Sequence, residues 1–555
     1  MDELLGFVVA KVGDGEISVG QIEYLSKVAD MLNTRSTPLP ALDQEVFAMV
    51  VPENHFLRLV SAVIDFERFR PLMVDAYDAT MGRPAIDPVL MLKVMFLSFH
   101  YGLSDRLVIE RLRTDMAFRW FLALGLRSTL PDHTNGTHFR QRLGEKRLEQ
   151  VFQELVSLAR EHGLVRDRLR LKDATHIFAD VAEIRPVALV AQVREHLLRA
   201  AEPFFPDWAA TQRVLAENIT QTTAELPDAQ RLVARVAHVR DMATHLRGQT
   251  ASWSTSEKTL AHSRLRRMLD VVDKLLADHA HPKAGDRLAS VVDPDARTGL
   301  HGDYFVGYLL DMMIDADSEI ITAVNVLPGN GAEAADAVTL IRKEEEAQGN
   351  DVEGMSIDGA GYNGPMLHEL TDPEGLNLDV TVPPPKPVAR STFGPERFPL
   401  KVLENGLGEL TCPSGETTRQ RERLKDKHAF RYTFKPSQCR ACPLREQCLQ
   451  KPSSKKGRTV IKNDYEADYK KVHAKVSTPE YAETRRQHPK IERKLGEAAR
   501  HHDNRHARYR GLGKVLCQSL FTALVTNVKR IVKLIGEKMN ATAEALTVRA
   551  EVGNA

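Results

Sequence analysis

The chain has 555 residues, with 76 Lys and Arg against 75 Asp and Glu for a formal charge of +1, and 43% of its residues are hydrophobic. That apolar content excludes disorder throughout, 33 Gly and 28 Pro exclude a collagen-like fibre, and the balanced charge excludes a bulk polycation. Acids in Met1-Asp2-Glu3-Leu4-Leu5 do not suit a signal peptide, and five cysteines in so long a chain make no disulfide framework, so a soluble, cytoplasmic protein is expected.

The first 65 residues carry no specific signal. Pro88 opens an apolar helix through residue 99, which at about half of the ~20 residues needed for a bilayer span, and with Lys93 inside it, reads as core. Tyr101-Gly102-Leu103 is a turn, and Ser104 can cap a second helix carrying Leu107, Ile109 and Leu112. Helix, glycine turn, helix is the outline of a helix-turn-helix, and equally of an ordinary helical pair. Arg83, Arg106, Arg111 and Arg113 are its basic residues.

A strand is expected over 168–179, then amphipathic helices over 191–290, with Val193, Leu197, Leu198, Leu265, Met268, Leu269, Val272 and Leu275 at helical spacing. Two strands follow, 304–314 and 320–326, joined by Asp315-Ala316-Asp317-Ser318. Pro328-Gly329-Asn330-Gly331 breaks the chain before a helix over 332–346, and a short strand ends at Ile357-Asp358. Val382-Pro383-Pro384-Pro385-Lys386-Pro387 reads as a stiff linker, 400–460 as a basic Cys-bearing segment, and 489–539 as helix. Without the helical insertion this is the β-β-β-α-β order of an RNase H-like mixed sheet, so the fold class is α/β.

Three carboxylates stand out. On the first strand Leu169, Leu171, Asp173, Thr175 and Ile177 share one face, so an aspartate sits within apolar side chains and needs a cation, a basic partner or a proton. Asp358 ends a strand and runs into Gly359-Ala360-Gly361, where glycines permit close approach of a ligand. Glu492 lies early in a helix after Pro489, on the face of Leu495 and Ala499.

Lys172-Asp173-Ala174-Thr175-His176, Ser356-Ile357-Asp358-Gly359-Ala360-Gly361-Tyr362 and Lys490-Ile491-Glu492-Arg493, followed by Ala507-Arg508-Tyr509-Arg510-Gly511-Leu512-Gly513, resemble the three acidic motifs of bacterial insertion-sequence DDE transposases. Gly82-Arg83-Pro84-Ala85-Ile86-Asp87-Pro88 through His138-Phe139-Arg140-Gln141-Arg142-Leu143 resembles that family's helical entry domain, and the resemblance spans about residues 66–534. It implies that Asp173, Asp358 and Glu492 hold two Mg2+ or Mn2+ ions. It implies too an enzyme that cleaves the terminal inverted repeats of its element and joins the freed 3′-hydroxyls to target DNA. Double-stranded DNA is then the partner, and a homodimer the expected state on DNA. Many relatives have a tyrosine and an arginine before the glutamate and a basic residue seven after. Here Tyr481, Arg485 and Arg486 precede it, the position four before is His488 and the position seven after is Ala499, with Arg500 next, and Glu483 and Glu497 are rivals for the third acid. A transposase-derived DNA-binding protein without activity, and a metal-dependent hydrolase of another substrate, are the competing readings.

Cys412, Cys439, Cys442 and Cys448 are spaced to close a four-thiolate structural zinc site, or are incidental reduced thiols, while Cys517 on an apolar helix reads as core. Arg493, Arg500, Arg505, Arg508, Arg510 and Lys514 cluster around the glutamate with Tyr509 interleaved, as phosphate contacts would. Residues 401–540 hold 32 Lys and Arg against 15 Asp and Glu, so the neutral total is two opposed regions that cancel. The expected organisation is 1–65 unassigned, 66–150 helical and DNA-binding, 165–190 with 291–380 as catalytic core, 191–290 a helical insertion, 381–480 a basic Cys-rich insertion, 481–540 the helices with Glu492, and 541–555 a tail.

Overall fold

The computed structural model describes residues 39–77, 86–253, 259–281, 284–386, 392–403, 408–451, 453 and 455–553. Arg83, with the rest of Gly82-Arg83-Pro84-Ala85, and Pro387 of the linker lie outside them.

The amino-terminal region is helical: α1 (Ala41–Val50), α2 (Phe56–Val63), α3 (Pro88–His100), α4 (Asp105–Thr114), α5 (Met116–Phe121) and α6 (His133–Glu161). Asp87 caps α3 through the amide of Val89, and Pro88 occupies the first turn, where a missing N–H costs nothing. The turn after α3 needs a positive φ at Gly102, 64°, and Ser104 then caps α4 by accepting from the Leu107 amide. Nearly every side chain of α3 is buried, whereas α4 buries Val108, Ile109 and Leu112 and leaves Leu107 on the surface. Of the three apolar residues expected on this helix, Leu107 faces away from the packed side. Arg140 of α6 fixes α4 through both carboxylate oxygens of Asp105, at 2.6 and 2.9 Å.

The mixed sheet follows. Strand β1 (Arg170–Phe178) leads into a helical insertion of α7 (Pro186–Ala201), α8 (Pro206–Thr222), α9 (Asp228–Thr250) and α10 (Leu260–Ala280), which has its own core around Val193, Leu197, Val239, Leu265 and Val272. The chain returns through β2 (Arg297–His301), unforeseen from the sequence, to β3 (Asp303–Asp315) and β4 (Ile321–Pro328). Next come α11 (Glu333–Gln348), β5 (Gly354–Ser356), α12 (Gly364–Thr371) and β6 (Asp379–Thr381). β3 pairs antiparallel with β1, and β4 and β2 lie along its other edge; β1, β5 and β6 run parallel to one another. Gly307 of β3 admits no side chain, because a Cβ there would stand 1.9 Å from the carbonyl oxygen of Ile177.

Both faces of the sheet are covered. One packs into a core that runs from Leu57 and Val60 of α2 through α3 and α6 to the carboxy-terminal helices, so no core boundary falls at residue 65. The other packs on α11. On that second face β1 presents Arg170 and Lys172, both fully buried: Arg170 pairs with Glu344 at 2.6 Å and Asp315 at 3.1 Å, and Lys172 with Asp311 at 3.1 Å. Buried charges persist only with such partners.

Between the sheet and the last helices lie two small three-stranded sheets. They are built from β7 (Leu400–Val402), β8 (Gly408–Thr411) and β9 (Thr417–Thr418), and from β10 (Arg421–Leu424), β11 (Ala429–Thr433) and β12 (Thr459–Asn463), with short helices α13 (Pro436–Arg440) and α14 (Arg445–Cys448). Then come α15 (Glu466–Lys475), α16 (Pro479–Gln487), α17 (Pro489–His501) and α18 (Leu512–Gly553). The helical region expected over 489–539 consists of two helices. The break spans 502–511, with Asp503 at φ 53° and Gly511 at φ 98°, and it lays His506 beside Phe178 at the end of β1. α18 is long and apolar enough to cross a membrane over Leu512–Ala541, but 83% of an 18-residue apolar window within that stretch is buried inside the protein, and it is a core helix. Phe521 stacks on Phe99 of α3 there, ring centroids 5.0 Å apart.

Candidate functional site

β1 and β5 are in parallel register with Leu171 opposite Ser356. Continuing both chains by two residues brings Asp173 level with Asp358. The Asp358 carboxylate caps the short turn Gly359–Gly361 by accepting from the Ala360 amide at 3.0 Å, and the Asp173 carboxylate accepts from the Ala174 amide at 2.8 Å. On the sheet face shared with Asp173, α17 buries Ile491, Leu495 and Ala498, which turns Glu492 outward at the margin of the contact.

These elements gather two overlapping sets of ligand-type atoms, each set lying within 4.8 Å of one another: Asp173 with Glu333 and Asp358, and Asp173 with His488 and Glu492. All three carboxylates singled out from the sequence are present, with Asp173 common to both sets. Glu333 and His488 were not singled out. Glu333 begins α11, where an acid looks like any favourable helix-start residue. His488 lies just before Pro489, where the sequence departs from the family pattern ahead of the glutamate, and that departure was the only signal of it.

The rivals of Glu492 are occupied elsewhere. Glu483 is exposed and paired with Arg486. Glu497 pairs with Lys529 at 2.9 Å and Lys494 at 3.0 Å; burial alone would raise its pKa, but the two ammonium groups draw it down to about 2.

Electrostatics mark the same place. Burial raises the Asp173 pKa to about 7, the Ala174 amide opposes this, and the nearby Asp358 and Glu333 carboxylates add to it. His488 is 2% exposed, and burial with Arg485 and Lys172 nearby lowers its pKa to about 4. Its Nδ1 is 3.1 Å from Ser356 Oγ, which also accepts from Arg485 at 3.2 Å, while its Nε2 is buried without a partner. Crowded carboxylates that resist ionising together, oxygen donors, and an orphaned ring nitrogen among them suit divalent cations.

The basic residues divide into two groups. Arg493, Arg500, Arg510 and Lys514 are exposed; Arg493 lies 3.5 Å from Glu319 and Arg510 3.2 Å from Asp180. Arg505 donates to Thr175 Oγ1 at 3.0 Å and sits over Phe178, and Arg508 lies over Phe99 at 4.8 Å, so both brace the 502–511 turn against β1 and α3. On α4, Arg106 and Arg113 line a groove with Glu110, Asp132 and His133, and Arg111 is exposed.

In the Cys-bearing module the thiols of Cys412, Cys439, Cys442 and Cys448 line one pocket, each half-buried and none in a disulfide. Burial raises the Cys448 thiol, and the other three add to that. Cys517 is buried on α18.

Two protein-family models match the chain. One, described as a transposase domain (DUF772), covers residues 45–142, and the other, a transposase DDE domain, covers 411–532. The second includes the four clustered cysteines and Glu492; Asp173 and Asp358 lie between the two. No curated protein and no solved structure matches the chain.

Proposed function

We propose that this chain, which belongs to the DDE transposases of insertion sequences, binds the terminal inverted repeats of its element, cleaves there and joins the freed 3′-hydroxyls to target DNA. The observation that carries the reading is that Asp173 lies in ligand range of Asp358 from β5 on one side and of Glu492 from α17 on the other. The strand order, with β4, β3 and β1 antiparallel and β1, β5 and β6 parallel, supports an RNase H-like core.

In this reading Asp173, Asp358 and Glu492 hold two Mg2+ or Mn2+ ions. Such ions, when bound, activate the attacking oxygen and neutralise charge on the leaving one. Asp173, fixed by its own strand and by the Ala174 amide, would be a ligand to these ions together with Asp358 from β5 and Glu492 from α17. Arg493, Arg500, Arg510 and Lys514 contact phosphates along the approach to the site, and Arg505 and Arg508 keep the 502–511 turn in place beneath the DNA. Hydrolysis at the element end releases a 3′-hydroxyl, which then displaces a 3′-oxygen at the target phosphodiester. Helices α3 and α4 contribute end recognition, with Arg106, Arg111 and Arg113 on the outer helix. Two ends are joined in concert, so two chains act together on DNA at the nucleoid. The four clustered thiols hold a structural zinc ion.

The test is cleavage of DNA carrying the element's ends in Mg2+. Asp173→Ala and Asp358→Ala should each abolish cleavage while leaving DNA binding intact, and undiminished cleavage by both variants would overturn the assignment.

A further inference from the structure

The two atom sets at the site differ in chemistry as well as position. Asp173, Glu333 and Asp358 offer only carboxylate oxygens, whereas Asp173, Glu492 and His488 include an imidazole. Resting on the metal-centre reading above, we propose that the centre consists of two unlike cation subsites sharing Asp173: an all-oxygen subsite with Glu333 as a further ligand, and a mixed subsite in which His488 Nε2 is a nitrogen ligand.

The environment of His488 argues for ligation over simple packing. The ring is 2% exposed, and its Nε2 has no hydrogen-bond partner among the described residues. A buried polar atom without a partner costs free energy, and a cation between the imidazole and the two carboxylates removes that cost. The opposite nitrogen is already held. Nδ1 lies 3.1 Å from Ser356 Oγ, and Arg485 donates to the same oxygen at 3.2 Å and to the Ile357 carbonyl at 2.9 Å. A serine oxygen has two lone pairs. With one taken by Arg485, the other is open to Nδ1–H, and the proposed ligand is the tautomer that makes this bond and leaves Nε2 bare. Metal-bound histidines are oriented in this manner, by a hydrogen bond from the nitrogen that does not ligate. The Ser356–Arg485 pair thus positions His488 from strand β5, the strand that also delivers Asp358.

Glu333 completes the other subsite. Its carboxylate is 3.8 Å from Lys172 Nζ, and the same ammonium donates to the Glu333 backbone oxygen at 3.0 Å, so the first turn of α11 is pinned to β1 one residue from Asp173. Three carboxylates suit a hard ion such as Mg2+, while an imidazole donor shifts preference toward Mn2+ and later first-row ions. The two subsites should therefore fill with unequal affinity.

Mn2+ alone, titrated into the metal-free full chain, provides the test. Pulsed electron paramagnetic resonance of bound Mn2+ should show imidazole nitrogen coupling in the unaltered protein. His488→Asn, which keeps a group in the place of Nδ1, should lose that coupling and weaken one of two binding events by about 10-fold or more while the other persists. Ser356→Ala should keep the coupling but loosen the same event by about 10-fold, the usual effect of removing a group that orients a ligand. Glu333→Gln should weaken the other event. Mn2+ binding that Asp173→Asn removes, yet shows no nitrogen coupling in the unaltered protein, would overturn the mixed subsite and leave His488 donating Nε2–H to a carboxylate. Mn2+ binding untouched by Asp173→Asn would instead overturn the metal centre itself. If His488→Asn does not fold, the unaltered spectrum and the Ser356→Ala titration decide.

Discussion

Asp173 is held where its charge is costly. Its pKa of about 7 lies above the ordinary aspartate value of 3.8 because burial and neighbouring carboxylates penalise the ionised form. An acid whose folded pKa is raised loses stability as pH rises from its ordinary pKa to the folded one, so the metal-free chain pays this cost at pH 8. Asparagine cannot ionise. Asp173→Asn should stabilise the protein in EDTA at pH 8 by roughly 1–3 kcal/mol, a gain that fades as pH falls toward 4, while abolishing cleavage. Thermal unfolding at the two pH values checks it; an unchanged or lowered melting temperature at pH 8 would contradict it. Glu497 behaves oppositely. Its folded pKa of about 2 lies below the ordinary 4.5, so its pairs with Lys494 and Lys529 contribute fully above pH 4.5 and are lost as pH falls toward 2. Glu497→Gln should lower the melting temperature at pH 7, at a cost of about 1–2 kcal/mol, and the gap should shrink between pH 4.5 and 2.

At the scale of elements, the Cys-bearing module has a small core, Phe398, Leu410, Tyr432, Phe434 and Val460, with Cys412, Cys439 and Cys448 packed against it. So few apolar side chains stabilise two three-stranded sheets weakly, and a bound ion would supply what the core does not. One zinc per chain is expected by elemental analysis, and Cys439→Ser should lose it and make the module sensitive to protease. Zinc content unchanged in that variant would exclude the four-thiol site. Of the helix pair, α3 is core and α4 is its outer partner, a difference that periodicity alone does not carry. Leu107 lies on the surface, because Val108, Ile109 and Leu112 form the buried stripe of α4.

For the molecule as a whole, charge is segregated. Residues 401–540 carry an excess of 17 positive charges, and the rest of the chain an excess of 16 negative ones. DNA binding by the full chain should therefore weaken steeply with salt despite a total charge of +1. Removing two phosphate contacts with Arg493→Ala and Arg500→Ala together should lessen the slope of log affinity against log salt by about 2. An unchanged slope would place the DNA elsewhere. The shared core has its own consequence: α3, α6, the sheet and α18 interlock through pairs such as Phe99 and Phe521, so the amino-terminal helices are built into the body of the protein.

The sequence by itself determined the order of elements, because alternation on β1, helical spacing in 191–290 and glycine- or proline-marked turns are local signals. It also carried the resemblance to DDE transposases, since acidic motifs in order are read along the chain. Asp173 was visible as an acid on an apolar face, and Asp358 as an acid leading into glycines. Short strands such as β2 and β6, and the break at 502–511, left too little periodicity to read. Only the tertiary structure decided which groups meet. The choice of Glu492 over Glu497 rests on which way α17 turns its apolar face, and Glu497 is taken by a lysine from α18. Glu333 and His488 come to Asp173 from residues far away in sequence, through strand register and helix packing, and no spacing along the chain records contacts of that kind.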